Sequence, residues 1–286
     1  MNDRTCRTVA AVTIGQTPRE DIVPELRRIM GIPEGPRVES IPPRSEAARG
    51  ECRCSASPAS PRAAIQIVEF GALDGLSDAE VAALAPTQGE ELLVTRLRTG
   101  RSVQVSERKL YPLVEAAVRR AKDQADAIIL LCTGSFDDLE SNRPLLRPDR
   151  ILMSTALAVV GDGILGVLTP DRSQACWQAE RWEKAARAAG LGTTVVVEAA
   201  SPFGVKESVK GNGGVTSCSG TEVQPGPGLT HTELREAARA LAQCDVVVMD
   251  CMGYDLSMKE VAREASGRPV MLARSVLARV AAEVVL

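Results

Sequence analysis

An internal match constrains this chain more than any other feature. Asp126-Ala-Ile-Ile-Leu-Leu-Cys132-Thr-Gly134 recurs without a gap as Asp245-Val-Val-Val-Met-Asp250-Cys251-Met-Gly253 (251 − 132 = 119 residues). In each copy a short apolar run lies between an aspartate and a Cys-x-Gly loop. Such runs predict strands buried on both faces of a parallel sheet. Upstream, Thr17-Pro18-Arg19 resembles Thr169-Pro170-Asp171-Arg172, each after a short strand (170 − 18 = 152 residues). The 33-residue difference is close to the length of a Pro-, Ser- and Arg-rich insertion in the first half. The chain therefore divides into two similar α/β halves.

The pattern between these anchors alternates strand and helix. Val9–Ile14, Ile65–Phe70, Asp126–Cys132, Ile164–Leu168, Thr193–Glu198, Asp245–Cys251 and Pro269–Leu272 have strand character. Helices are expected after Thr17 as N-cap with Pro18 at the first position, over Ser77–Leu84 and Lys109–Asp123, after Arg172 as far as Ala189, and over Thr232–Ala242, Ser257–Ser266 and Ser275–Val285. Glu90–Leu97 and Ser102–Ser106 read as a strand pair with Gly100 in the turn, and Pro144–Arg150 as a connection. Alternation at this spacing argues for two Rossmann-like parallel-sheet subdomains, related by a pseudo-two-fold axis, with a cleft between them. The expected division is 1–155 and 156–272, with the terminal helix 273–286 returning to the first half. Segments 40–62 and 206–230 are rich in Pro, Gly and Ser and are expected to be flexible insertions.

Composition removes several classes of function. The 286 residues carry 34 Lys and Arg against 37 Asp and Glu, a net charge of −3. With 2 Trp, 2 Tyr and 3 Phe, the chain lacks the basic footprint and stacking platforms of a nucleic-acid binder. One histidine, His231, excludes a multi-histidine metal site and argues against a Ser-His-Asp hydrolase. No apolar run reaches the roughly 18 residues of a bilayer span, and the start of the chain lacks a signal-peptide pattern. The expectation is a cytoplasmic protein whose 8 cysteines are thiols. Cys6, Cys176, Cys218 and Cys244 read as packing or surface thiols, and Cys52-Arg-Cys54 as part of the first insertion.

Ligands of open parallel sheets bind beyond the carboxyl ends of the strands, where all four repeated loops fall. If the halves face each other, Cys132 and Cys251 approach one cleft from opposite sides. Two thiols flanking one carbon suit a defined reaction: one thiolate removes a proton and the other thiol returns one to the far face. An unperturbed thiol pKa of about 8.5 allows either to act as base or acid once tuned. Arg19, with Gln16 and Thr17 beside it, is placed to hold a carboxylate, as are the backbone N–H groups of Thr133, Gly134 and Ser135 at the start of an expected helix. Thr169, Arg172, Gly253 and Tyr254 complete the expected substrate contacts.

Val12-Thr-Ile-Gly15-Gln-Thr-Pro-Arg19, Gly71-Ala-Leu-Asp-Gly-Leu76, Leu130-Leu-Cys-Thr-Gly134, Asp250-Cys-Met-Gly-Tyr254 and Ser275–Glu283 resemble the AroM family. Through the paired cysteine loops the chain also resembles the aspartate/glutamate/hydantoin racemase superfamily. The resemblance implies two α/β domains, each presenting one catalytic cysteine after a strand, and catalysis without cofactor or metal. The chain departs from that pattern in two places. Cys132 is followed by Thr-Gly where many racemases have Asn-Thr, and Cys251 lacks a neighbouring histidine. The expected ligand is a small carboxylate-containing metabolite, with neither nucleic acid nor membrane as partner, and a homodimer is one expected assembly. The functional expectation is a cofactor-independent racemase or isomerase. The alternatives are a non-catalytic carboxylate-binding or regulatory protein on the same fold and a one-thiol decarboxylase or cis-trans isomerase.

Three further motifs are set aside. Gly161-Asp-Gly163-Ile-Leu-Gly166 enters a strand rather than leaving one, so it is not a dinucleotide fingerprint. Ser106-Glu-Arg-Lys109 reads as a helix cap. His231, at a helix start, is expected to be exposed.

Overall fold

The computed structural model describes residues 6–33, 64–203 and 231–285. The segments 40–62 and 206–230 lie outside the described residues. In chain order the first half holds β1 (Cys6–Thr13), α1 (Val23–Ile29), β2 (Ala64–Gly71), α2 (Asp78–Ala83), β3 (Leu92–Arg96), β4 (Ser102–Ser106), α3 (Glu107–Lys122), β5 (Ala127–Leu130), β6 (Leu145–Leu146) and α4 (Pro148–Val160). The second holds β7 (Ile164–Thr169), a 3₁₀ turn at Arg172–Gln174, α5 (Ala175–Ala188), β8 (Thr194–Ala199), α6 (Thr232–Ala240), β9 (Val246–Met249), α7 (Leu256–Ser266), β10 (Val270–Leu272) and α8 (Ala273–Val285).

Two four-stranded parallel sheets result, in the orders β2-β1-β5-β6 and β8-β7-β9-β10. The orders are the same once β7 is matched to β1. Register makes the repeat exact in space. Val9 pairs with Ala127 and Leu165 with Val246, so the β5 and β9 strands correspond at the 119-residue offset. The first strands, however, correspond at 165 − 9 = 156 residues rather than 152. Thr13 is therefore the partner of Thr169, and Thr17 lies four residues beyond its strand. The Thr-Pro alignment read from sequence is out of register in the fold.

Pleating sorts the core. Val9, Ala11, Ile129 and Leu131 pack inward with Leu165, Val167, Val246 and Val248 of the other sheet in one apolar cluster. Ala10, Val12, Ile128, Leu130 and Cys132 face outward beneath α3 and the β3–β4 hairpin. Val247 and Met249 face outward under α6 and α7. The alternation is the two-residue period of a strand, with both faces covered.

Helices fill the layer between the sheets in a crossed arrangement. α4 follows the first sheet but packs on β9 and α5, whereas α8 follows the second sheet and packs on β5 and α1. The two helices also pack on each other. Residue 155, the expected dividing point, lies within α4.

Several local expectations change. The helix after β1 begins at Val23, with Pro24 in its first turn, and not after Thr17. Asp74 draws the Thr17 backbone N–H (2.9 Å) and hydroxyl (2.7 Å) into a loop brace that also takes the Gly71 N–H. No helix follows Ser135: the carboxylate and carbonyl of Asp137 accept from the Arg147 guanidinium instead. Pro144–Arg150 is not merely a connection, since it contains β6 and opens α4. His231 is half-buried at the α6 N-cap. Ser77 and Ser106 cap α2 and α3, and Gly100 takes a left-handed φ of 85° in the hairpin turn. Among the described residues no helix is long and apolar enough to cross a membrane.

Candidate active site

Cys132 and Cys251 stand just past the ends of β5 and β9 and line one small cavity, about 40 Å³. That space holds only a few water molecules. Each sulfur accepts from the backbone N–H two residues on, Gly134 and Gly253, both at 3.3 Å. The two loops are thus alike in geometry as well as sequence.

The next residue of each loop is gripped in the same way. The Thr133 carbonyl accepts from Arg181 of α5 at 2.9 Å. The Met252 carbonyl, its equivalent, accepts from both Nε and Nη2 of Arg274 of α8, at 3.2 and 2.6 Å. Arg274 also donates to the Asp21 carbonyl (2.9 Å) and lies 3.6 Å from the Glu25 carboxylate. Arg181 lies over the Trp177 ring and 3.5 Å from Asp149. A guanidinium behind each cysteine loop, buried for Arg274 and partly buried for Arg181, fixes the backbone that carries the thiol.

Of the expected contacts, Arg19, Thr133, Gly134 and Gly253 line the cavity. Arg19 is buried, donating from Nε and Nη2 to Asp21 and from Nη1 to the Thr13 hydroxyl. Burial raises the Asp21 carboxyl, but the Arg19 hydrogen bonds and charge outweigh it and hold the pKa below its ordinary value.

The other expected contacts lie elsewhere. Gln16 accepts from the Arg98 N–H and donates to the Leu73 carbonyl, and Thr17 binds Asp74, so both brace the hairpin and loop. Ser135 does not line the cavity, and without a helix after it the Thr133-Gly134-Ser135 amides form no helix-terminus anion site. The buried Thr169 hydroxyl donates to Gln174, while Arg172 is exposed. Tyr254 is fully buried, its hydroxyl donating to the Ala200 carbonyl, so it packs rather than contacts ligand. Tyr254→Phe should cost about 1–3 kcal/mol in urea unfolding, because it leaves that carbonyl unpaired. Ligand affinity should stay at the parent value.

Sequence reasoning missed the walls: Leu93, Val94 and Thr95 of the hairpin, Gln174, Trp177 and Gln178 of the α5 region, and Phe203. Two of them explain nearby glycines. A Cβ on Gly15 would collide with the Arg96 carbonyl and the Thr95 hydroxyl, so glycine lets the hairpin close over the cavity. A Cβ on Gly253 would lie 2.6 Å from the Phe203 ring. Gly253→Ala should therefore destabilise the protein by about 1–3 kcal/mol. It should also shift the Cys251 thiol, read as a changed alkylation rate at fixed pH.

Burial keeps both thiols protonated in this closed form. It pushes Cys132 far above the ordinary thiol range and Cys251 up to about 11, although the Gly253 N–H, Arg274 and Arg19 pull Cys251 back. Burial also raises Asp250, whose Oδ2 accepts from the Trp182 indole at 2.9 Å. Strand parity puts Asp250 on the inner face with Val246 and Val248, opposite to Cys251. Among the described residues no group of three His, Cys, Asp or Glu could hold a metal ion.

Two parallel-sheet domains with one cysteine loop each, closing on a shared cavity, define a racemase-type fold. The aspartate racemase of Picrophilus torridus shares it at 9% identity, with a TM-score of 0.54 over 98% of this chain and 94% of that one. The Aquifex pyrophilus glutamate racemase aligns at 12% identity with a TM-score of 0.49, covering 98% and 84% of the two chains. The Nocardia farcinica maleate cis-trans isomerase aligns at 13% identity with a TM-score of 0.46, covering 97% and 91%. Residues 59–285 match the family described as AroM protein, and the chain belongs to that family. No curated protein matches the chain in sequence.

Proposed function

We propose that this protein is a cofactor-independent racemase or isomerase that moves a proton at a carbon next to a carboxylate or carbonyl. The observation that carries the reading is the convergence of Cys132 and Cys251, from equivalent strand ends of the two halves, on one cavity. One thiolate takes the proton, leaving enolate-like charge on the substrate, and the opposite thiol donates a proton to the other face. The substrate regains its charge state and the two sulfurs exchange roles. Arg19 in the cavity wall supplies positive potential for a carboxylate and for the Cys251 thiolate.

The cavity is too small for a metabolite, and its thiols are protonated by burial. Ligand entry must therefore part the walls, and water and ligand admitted with it would lower the thiol pKa values. The same two facts favour a second reading, a carboxylate-binding protein that does not turn over.

Incubation in D₂O with chiral amino acids, hydroxy acids and hydantoins separates the two. A racemase washes deuterium into the α position of one compound class. Binding of small carboxylates without exchange in any of them would establish the second reading.

A further inference from the structure

A ligand has to part the cavity walls, and the walls are not held equally. β3 and β4 form a two-stranded sheet that joins neither of the parallel sheets. The hairpin is tied to the first half at both ends. The Arg96 carbonyl accepts from the Gln16 N–H at 3.2 Å, and the Ser106 N–H donates to the Leu84 carbonyl at 2.8 Å. Among the described residues, one hydrogen bond joins β3 or β4 to the second half. In it the side-chain amide of Gln174 donates to the Leu92 carbonyl at 2.7 Å. Elsewhere the halves are locked by Arg181 on Thr133, by Arg274 on Asp21 and by the crossed helices α4 and α8. A single bond between neutral groups is the weakest of these closures.

The Gln174–Leu92 bond stands at the rim. Gln174 is buried in the cavity wall, whereas Leu92 is half-buried. The direction of the amide is fixed from behind. The buried Thr169 hydroxyl, at the end of β7, donates to the Gln174 oxygen at 3.0 Å, which leaves the amide N–H for Leu92. A flipped amide would set its oxygen against the Leu92 carbonyl oxygen. Register makes Thr169 the counterpart of Thr13. Thr13 accepts from Arg19, whose Nε and Nη2 stay on Asp21 of the same half. The second half uses the corresponding position to reach across the cleft.

We infer that the Gln174–Leu92 hydrogen bond is the latch of the cavity, and that ligand enters where it breaks, between the β3–β4 hairpin and the start of α5. Gln174 is then a positioning residue that acts through the hairpin and not on the substrate. A latch serves a cavity that turns substrate over and one that only binds, so it stands or falls separately from the proposed reaction.

Gln174→Met keeps the length of the side chain and removes the donor. Amide hydrogen exchange, read by mass spectrometry and corrected for intrinsic rates, measures opening without involving thiol acidity. The peptides that hold the Gly134 and Gly253 N–H groups should exchange about tenfold faster in the variant, the ratio that loss of one buried hydrogen bond carries. Peptides of α4 and α8, on the locked side, should keep the parent rates. Iodoacetamide should label Cys132 and Cys251 about tenfold faster at fixed pH, with the exposed Cys176 as internal reference. Thr169→Val removes the hydroxyl that orients the amide. It should give a smaller rise in the same peptides, and it carries the test should Gln174→Met fail to fold, as checked by thermal melting. Exchange and labelling at the parent rates in the folded variants would overturn the latch. So would a rise that spreads equally to α4 and α8, which marks general loosening and not a local opening.

Discussion

Cys132→Ser and Cys251→Ser should each cut inversion of a racemised substrate by about 10²–10⁴-fold, the range of a lost general acid or base. A serine hydroxyl titrates far above a thiol and cannot take the proton. Exchange should survive in a stereospecific form. With one thiol left, deuterium enters with retention from the face that this thiol serves, and the two variants should label opposite faces. Chiral chromatography combined with mass spectrometry reads both quantities. Two single variants that invert at the parent rate would rule out the two-thiol mechanism. The parent should also show a pH dependence set by burial. Cys251, pushed up to about 11, should alkylate about tenfold faster per pH unit from 7 to 10, since reactivity follows the thiolate fraction. Ligands that part the walls should flatten that rise.

Arg274→Met should cost about 3–5 kcal/mol in urea unfolding. Arg274 is 1% exposed. Its loss unpairs the Met252 and Asp21 carbonyls and leaves the Glu25 carboxylate without its buried cation. Because Arg274 also lowers Cys251, the alkylation profile of the variant should move to higher pH, which a purely structural loss would not produce. Arg274→Lys should restore much of the charge effect but little of the stability, since an ammonium cannot reproduce the guanidinium fork across two loops.

The central strands β1, β5, β7 and β9 were readable in the sequence because each is a short apolar run, buried on both faces, while the two-residue β6 was not. The cysteine repeat was readable because parallel register preserved the 119-residue offset. Ser77 and Ser106 marked their helices through ordinary capping chemistry. What escaped lacked a local signal. α4 starts at Pro148 with no side-chain cap, so its prolines suggested a connection. Thr17-Pro18 carries every mark of a helix start, yet Asp74, 57 residues away, claims the Thr17 hydroxyl. Arg172 looked equivalent to Arg19 because Thr-Pro recurs, but register places Thr169 opposite Thr13 and leaves Gln174 in the cavity wall. Thr95, Gln178 and Arg274 come from the hairpin, α5 and α8, elements outside the repeat, and only tertiary packing brings them to the thiols.

The crossing of α4 and α8 bears on how such a chain could arise. Each half ends in a helix that covers the sheet of the other, so neither half alone closes its own core. Two copies of an ancestral half would have met the same need by trading terminal helices, and one cavity with two identical cysteine loops would have formed at their axis. Joining the copies makes the trade permanent within a single polypeptide. After fusion each copy could drift on its own, and the site could distinguish the two faces of a substrate that a symmetric ancestor had to treat alike.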